Sequence, residues 1–213
     1  MTPEQQTVAT EALCRRAPII PVLVIEDVAH AAPLAKALVA GGLVALEVTL
    51  RTPAALDAIR AMSDVEGGVA GAGTLLTPAD VKAAVKAGAK FGVSPGASDR
   101  VIGACEDEGL PLLPGAVTAT EVMGLLERGY GMMKFFPAET SGGAPALKAL
   151  FGPIPQAKFC PTGGVSMKNA RDYLALPNVL CVGGSWFAPK EDLAAGNWSR
   201  VTDLAREAAT IRG

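Results

Sequence analysis

Three side chains carry the reactive chemistry of this 213-residue sequence: Glu47, Arg51 and Lys134. Lys134 stands inside "GYGMMKFFPAE", with two Met before it and two Phe after. Lysine is among the residues least often fully buried, and an unpaired ammonium in apolar surroundings is costly. A lysine attacks a carbonyl only as the free amine, and at the reference pKa of ~10.4 well under about 0.1% is neutral at pH 7. Apolar neighbours and a nearby cation both disfavour an ammonium, which is how Schiff-base lysines are activated. A touching carboxylate acts in the opposite sense, so the arrangement of Glu47 and Arg51 around the amine decides the outcome.

An imine on such a lysine, once protonated, is an electron sink beside the former carbonyl carbon. It stabilises, as an enamine, the carbanion left when the adjacent C–C bond breaks. Protons must then move between substrate, imine and carbinolamine. Glu47, inside the apolar run "ALEVTL", is the one obvious carboxylate for that work. A guanidinium such as Arg51 binds a carboxylate, bidentate where the geometry allows. The three together suggest an α-keto acid. Taken singly, each has an ordinary structural explanation: an outward Glu with a helix partner, a solvated loop Arg, a snorkelling Lys. Thr74 alone reads as a helix-entry residue. Their coincidence at strand ends is what carries weight.

The elements that must position them alternate along the chain. After a leading helix over about residues 3–15, eight apolar runs follow: 19–25, 43–50, 68–74, 90–95, 110–115, 131–136, 157–162 and 179–184. Helix patterns lie between them. Asp27 is a potential N-cap for a helix stopped by Gly41 and Gly42. "TPAALDAIRAM" and "TPADVKAAVKAGA" each begin with a Thr cap and a Pro at the first helical position. Thr118 and Glu121 form a capping box. Strands apolar on both faces, mostly followed by helices, predict an α/β chain with a parallel sheet closed into a (β/α)8 TIM barrel, preceded by an extra N-terminal helix. One domain over 1–213 is expected. An open doubly wound sheet is the rival, but "GVAGAG" lacks the third glycine and the later acidic residue of a dinucleotide site.

In a barrel the C-terminal strand ends share one mouth, where catalytic groups gather. The runs end there at Glu47 and Arg51, at Thr74, at Ser94 and Pro95, at Lys134, at "PTGG" (161–164) and at "VGGSW" (182–186). The two glycine turns follow the seventh and eighth strands, where barrels often bind phosphate through backbone N–H groups. A short helix there would add its positive N-terminus. Ser185 adds a hydroxyl, and neither turn contains Lys or Arg.

Composition narrows the partners. Half the residues are hydrophobic, enough for a large core, and the formal charge is -2, with no basic block to attract nucleic acid. No run of 18 apolar residues predicts a membrane span, and the polar N-terminus lacks a signal core. The four cysteines show no CxxC spacing, so a reduced, cytoplasmic protein is expected. His30 is the only histidine, which excludes a multi-histidine metal site.

At "LEVTLRT", "VAGAGTLLTP", "GVSPG", "LLPGAVTATEVM", "MKFFPAE", "KFCPTGGVS", "RDYLAL" and "VLCVGGSW" the chain resembles the bacterial 2-keto-3-deoxy-6-phosphogluconate (KDPG) aldolases, which also act on 4-hydroxy-2-oxoglutarate. These segments run in order over nearly the whole chain. The resemblance implies a class I aldolase of the Entner–Doudoroff pathway on a (β/α)8 barrel, a homotrimer without metal or other cofactor. It implies that Lys134 forms the Schiff base with pyruvate and Glu47 is the acid–base residue. Arg51 and Thr74 would hold the pyruvate carboxylate, with Pro95 lining that pocket and Phe136 packing near the lysine. Gly163, Gly164, Gly184 and Ser185 would bind phosphate, with Thr162 near the sugar hydroxyls. The alternatives are an aldolase for the galactonate epimer, one for 4-hydroxy-2-oxoglutarate without phosphate preference, a phosphate-binding barrel isomerase, or a barrel reused as an oligomeric scaffold.

Overall fold

A computed structural model describes residues 1–211, so the last two positions of the expected 1–213 unit lie outside the described residues. Eight strands emerge, one from each apolar run: β1 (Ile19–Leu23), β2 (Ala45–Thr49), β3 (Val69–Gly73), β4 (Gly92–Val93), β5 (Leu112–Leu113), β6 (Met132–Phe135), β7 (Lys158–Pro161) and β8 (Val182–Gly184). The helices are α1 (Pro3–Cys14), α2 (Ala31–Ala40), α3 (Ala55–Ser63), α4 (Pro78–Lys86), α5 (Asp99–Glu108), α6 (Ala119–Arg128), α7 (Gly143–Phe151), α8 (Ala170–Leu174), α9 (Lys190–Ala194) and α10 (Trp198–Ala209). β4 and β5 are much shorter than their runs. Pro95, Pro111 and Pro114 flank them, and proline has no N–H to give a ladder.

All pairings are parallel. Six strands form one sheet in the order β5-β4-β3-β2-β1-β8, and β6 pairs with β7. Isolated bridges Gly115–Lys134, Phe159–Val179 and Thr162–Gly183 connect the two groups on either side. Lys134 N donates to Pro114 O at 2.8 Å, which fixes the height of β6 against the end of β5.

Successive strand residues face opposite ways. Leu46, Val48, Met133, Phe135 and Phe159 join a large core with helix residues such as Leu34, Ile59, Val81 and Val122. Ile20, Ala45, Phe91, Val93, Leu113, Met132, Cys160 and Cys181 form a second, smaller apolar cluster on the other face, which Cys14 of α1 completes. α1 lies across the beginnings of β5 and β6. Its buried Gln6 accepts from Leu112 N, while Thr7 Oγ1 accepts from Gly131 N and donates to Gly129 O, each at 3.0 Å.

Two of the four expected helix starts differ. Thr77 with Asp80, and Thr118 with Glu121, form capping boxes as the sequence predicts. Asp27 instead caps a single 3-10 turn, Val28–His30, that leads into α2. α3 starts at Ala55 without a side-chain cap. The Thr52 hydroxyl is taken by the carbonyl of Ile25, which ties the loops after β1 and β2 together.

Candidate active site

Strand alternation explains how charged groups enter an apolar interior. Glu47 is two residues beyond Ala45, Lys134 two beyond Met132 and Thr162 two beyond Cys160. Each therefore shares the face of the smaller cluster, one step closer to the C-terminal strand ends. That cluster is an apolar floor, and the polar groups stand on it.

Lys134 Nζ donates to Glu47 Oε1 at 3.2 Å, and the two residues are only 6% and 2% exposed. A buried charge persists when it is paired. Gly73 supplies the space for this pair. A Cβ built there would lie 2.3 Å from Glu47 Oε1 and 2.7 Å from its Cγ, so the carboxylate occupies the volume that any other residue would need. The Phe136 ring closes another side, its centroid 5.2 Å from Nζ, where the ring face attracts a cation.

Arg51 is exposed just past β2, yet it is tethered. Its Nε donates to Thr49 Oγ1 at 3.1 Å, and the buried Thr49 hydroxyl donates to Leu23 O at 2.9 Å. The Nη groups bond to no described residue and are available to an anion. Thr74 has φ +64° and is the one non-glycine in the left-handed region among the described residues. For a β-branched residue this costs on the order of 1–2 kcal/mol, and such strain gathers at functional sites. Pro95 is half-buried after β4. Its carbonyl would stand 2.2 Å from a Cβ on Gly115, so the loops after β4 and β5 pack backbone to backbone.

The turn after β7 presents its amides. Gly163 and Gly164 have φ +99° and +81°. The carbonyls are occupied: Ala138 N donates to Thr162 O at 2.8 Å, Glu139 N to Gly163 O at 3.1 Å and Asn169 Nδ2 to Gly164 O at 3.1 Å. The N–H groups of Gly163, Gly164 and Val165 donate to no described residue. Successive free amides in one turn make a concavity suited to an anion. A Cβ on Gly163 would meet the Phe136 ring at 3.2 Å, so this turn touches the ring that covers the lysine. Thr162 Oγ1 lies where a Cβ of Gly183 would be, at 2.2 Å. At Gly184 the space is taken by the ring of Trp186, and Ser185 is exposed.

The structure thus joins Lys134, Glu47, Phe136, Gly163 and, through the bridge, Thr162 to Gly183. No hydrogen bond or ion pair links Arg51, Thr74, Pro95 or Ser185 to the Lys134–Glu47 pair among the described residues. They stand at the ends of β2, β3, β4 and β8. Thr49, Gly73 and Gly183 also shape the site without standing out in the sequence. Parity offered a signal for the first, since Thr49 follows Glu47 by two. Gly73 and Gly183 matter only for what fills the room they leave on a neighbouring strand. The amine touching a carboxylate suits a carbonyl, and the free guanidinium after β2 and the free amides after β7 each suit an anionic group.

A family model described as KDPG and KHG aldolase matches residues 10–204. A 2-dehydro-3-deoxy-phosphogluconate aldolase of Pseudomonas aeruginosa is 51% identical over 206 residues, 96% of this chain and 94% of that protein. The KDPG aldolase of Zymomonas mobilis ZM4, crystallised with 3-phosphoglycerate, has a TM-score of 0.91 at 47% identity, covering 97% of this chain and 98% of that one. The KDPG aldolase of Legionella pneumophila, in which pyruvate was captured at low pH as a covalent carbinolamine intermediate, has a TM-score of 0.90 at 46% identity, covering 94% and 98%. With likeness of this depth running nearly end to end, the chain belongs to the KDPG and KHG aldolase family.

Proposed function

We propose that the chain is a class I aldolase that reversibly cleaves 2-keto-3-deoxy-6-phosphogluconate to pyruvate and D-glyceraldehyde 3-phosphate. The observation that carries this reading is the buried Lys134–Glu47 contact at 3.2 Å. A proton passing from Nζ to Oε1 leaves a free amine and a carboxylic acid with no change in the pocket's net charge. The amine attacks the keto carbon, and Glu47 returns a proton to the carbinolamine hydroxyl, which leaves as water. Glu47, again a carboxylate, takes the proton of the C4 hydroxyl as the C3–C4 bond breaks. The bonding electrons pass into the iminium to give the enamine, and the aldehyde departs. Protonation at C3 and hydrolysis then release pyruvate and the lysine.

Arg51 and Thr74 hold the keto acid's carboxylate, with Pro95 and Phe136 as walls of that pocket. Gly163, Gly164, Gly184 and Ser185 take the phosphate, with Thr162 near the intervening hydroxyls. The free amides after β7 support that assignment. The iminium is itself the electron sink, so the reaction calls for no metal or cofactor. The eight strands, bridged between β5 and β6 and between β7 and β8, fit a closed (β/α)8 barrel over a single domain, with α1 as its floor. A cytoplasmic homotrimer completes the proposal and rests on the family likeness.

Initial rates of pyruvate release test it. The phosphorylated gluconate substrate should be cleaved with the highest kcat/KM, its C4 epimer more slowly, and 4-hydroxy-2-oxoglutarate measurably. Equal rates on the two epimers would move the assignment toward the galactonate series. Equal rates with and without phosphate would remove the phosphate site. No release from any of them would contradict the aldolase reading.

A further inference from the structure

The anion-binding turn carries an acidic neighbour. Glu139 lies on the loop after β6 and is fastened to the turn by its own backbone N–H, which donates to Gly163 O at 3.1 Å. Its side chain runs across Gly164: a Cβ there would lie 2.4 Å from Glu139 Cγ. The carboxylate at the end of this stem has its carbon 3.9 Å from the same point, beside the turn that carries the free amides. Left free, it would accept from them itself and repel an incoming dianion.

It is not free. Tyr173 Oη donates a hydrogen bond to Glu139 Oε1. Tyr173 belongs to α8 and is only 1% exposed, so packing holds its ring in place. Burial, reinforced by the Glu139 carboxylate, pushes the phenol well above the ordinary tyrosine range, so it remains a donor at any working pH. Asn169, four residues earlier, holds the Gly164 carbonyl from the same segment and anchors itself by accepting from Ser166 N at 2.8 Å. One residue orients the backbone of the turn and the other restrains the acid beside it.

We propose that Tyr173 is a specificity-determining positioning residue: by holding the Glu139 carboxylate toward α8, it keeps the Gly163–Gly164 amides open to the substrate's phosphate. This inference rests on the proposed aldolase reading and assigns the control of its phosphate end. Tyr173 acts through Glu139 and touches no reacting atom. It therefore governs binding of phosphorylated ligands and leaves the chemistry at Lys134 alone.

The experiment compares Tyr173→Phe, Glu139→Gln and the double variant, each checked for folding by circular dichroism. Kinetics are measured on 2-keto-3-deoxy-6-phosphogluconate and on its unphosphorylated counterpart, and inorganic phosphate binding by calorimetry. Tyr173→Phe should raise KM for the phosphorylated substrate and the Kd for phosphate about tenfold, the scale of one misplaced like charge. Its kcat, and its kinetics on the unphosphorylated substrate, should stay within about twofold, below the size of a lost hydrogen bond. Glu139→Gln alone should bind phosphate as well as the native protein or better, and adding it to Tyr173→Phe should restore affinity. A merely structural tyrosine would weaken both substrates alike and would not be rescued by removing a charge. That outcome overturns the inference, as does unchanged phosphate affinity in Tyr173→Phe or a wild-type protein that binds no phosphate. Absence of pyruvate release by the wild type contradicts the aldolase reading instead, and the calorimetric arm needs no turnover.

Discussion

At the scale of residues, one buried ion pair, Lys134 with Glu47, sits in the room that Gly73 leaves for it. Lys134 and Glu47 were legible in the sequence because charges stand out inside apolar runs. Their contact was not legible, since it joins strands 87 positions apart. Gly73 was invisible for a related reason: a glycine shows its purpose only through the group that fills its place. Glu47→Gln keeps the shape but can neither take nor return a proton. It should still bind pyruvate while losing about 10²–10⁴-fold in kcat, the usual share of a general acid–base, as steady-state kinetics will show. Gly73→Ala should act through the same carboxylate. Its methyl group falls on the Glu47 oxygen, so kcat should drop about tenfold or more while circular dichroism stays native, because a catalytic group moved by about 1 Å loses that much or more. An unchanged kcat would mean the carboxylate has another productive position.

At the scale of elements, local chemistry predicted helix starts only where no distant partner competed. The Thr77 and Thr118 boxes formed as read. Thr52 carried the same Thr-Pro signal, but its hydroxyl found the Ile25 carbonyl on a neighbouring loop. The Glu121 carboxyl in the α6 box is held below the usual carboxylate range, chiefly by the backbone N–H of Thr118 and then that of Val117. A depressed folded-state pKa gives stability that is present above the unfolded value and lost as pH falls through the folded one. Glu121→Gln should therefore lower the melting temperature near neutrality and converge with the native protein in acid. Thr118→Ala should cost about 1 kcal/mol in denaturant unfolding without altering kcat, because the Thr118 hydroxyl serves its own helix start and bonds to neither Lys134 nor Glu47.

At the scale of the whole molecule, the alternation of runs and helices foretold a parallel α/β chain, and parallel pairing holds throughout the described strands. The division into six and two strands was not foretold. Between β5 and β6, and between β7 and β8, the ladders thin to isolated bridges at Gly115, Phe159 and Thr162, details of backbone fit that hydrophobic periodicity does not encode. What the architecture achieves is to raise one amine on an apolar floor, paired to one carboxylate, toward the C-terminal ends of the strands. Reduction by borohydride in the presence of pyruvate tests that claim most directly. A stable covalent adduct, seen by peptide mass spectrometry, is expected on the peptide carrying Lys134 and should be lost in Lys134→Ala. Folded protein that gives no adduct, or one that carries it on a different lysine, would contradict the account.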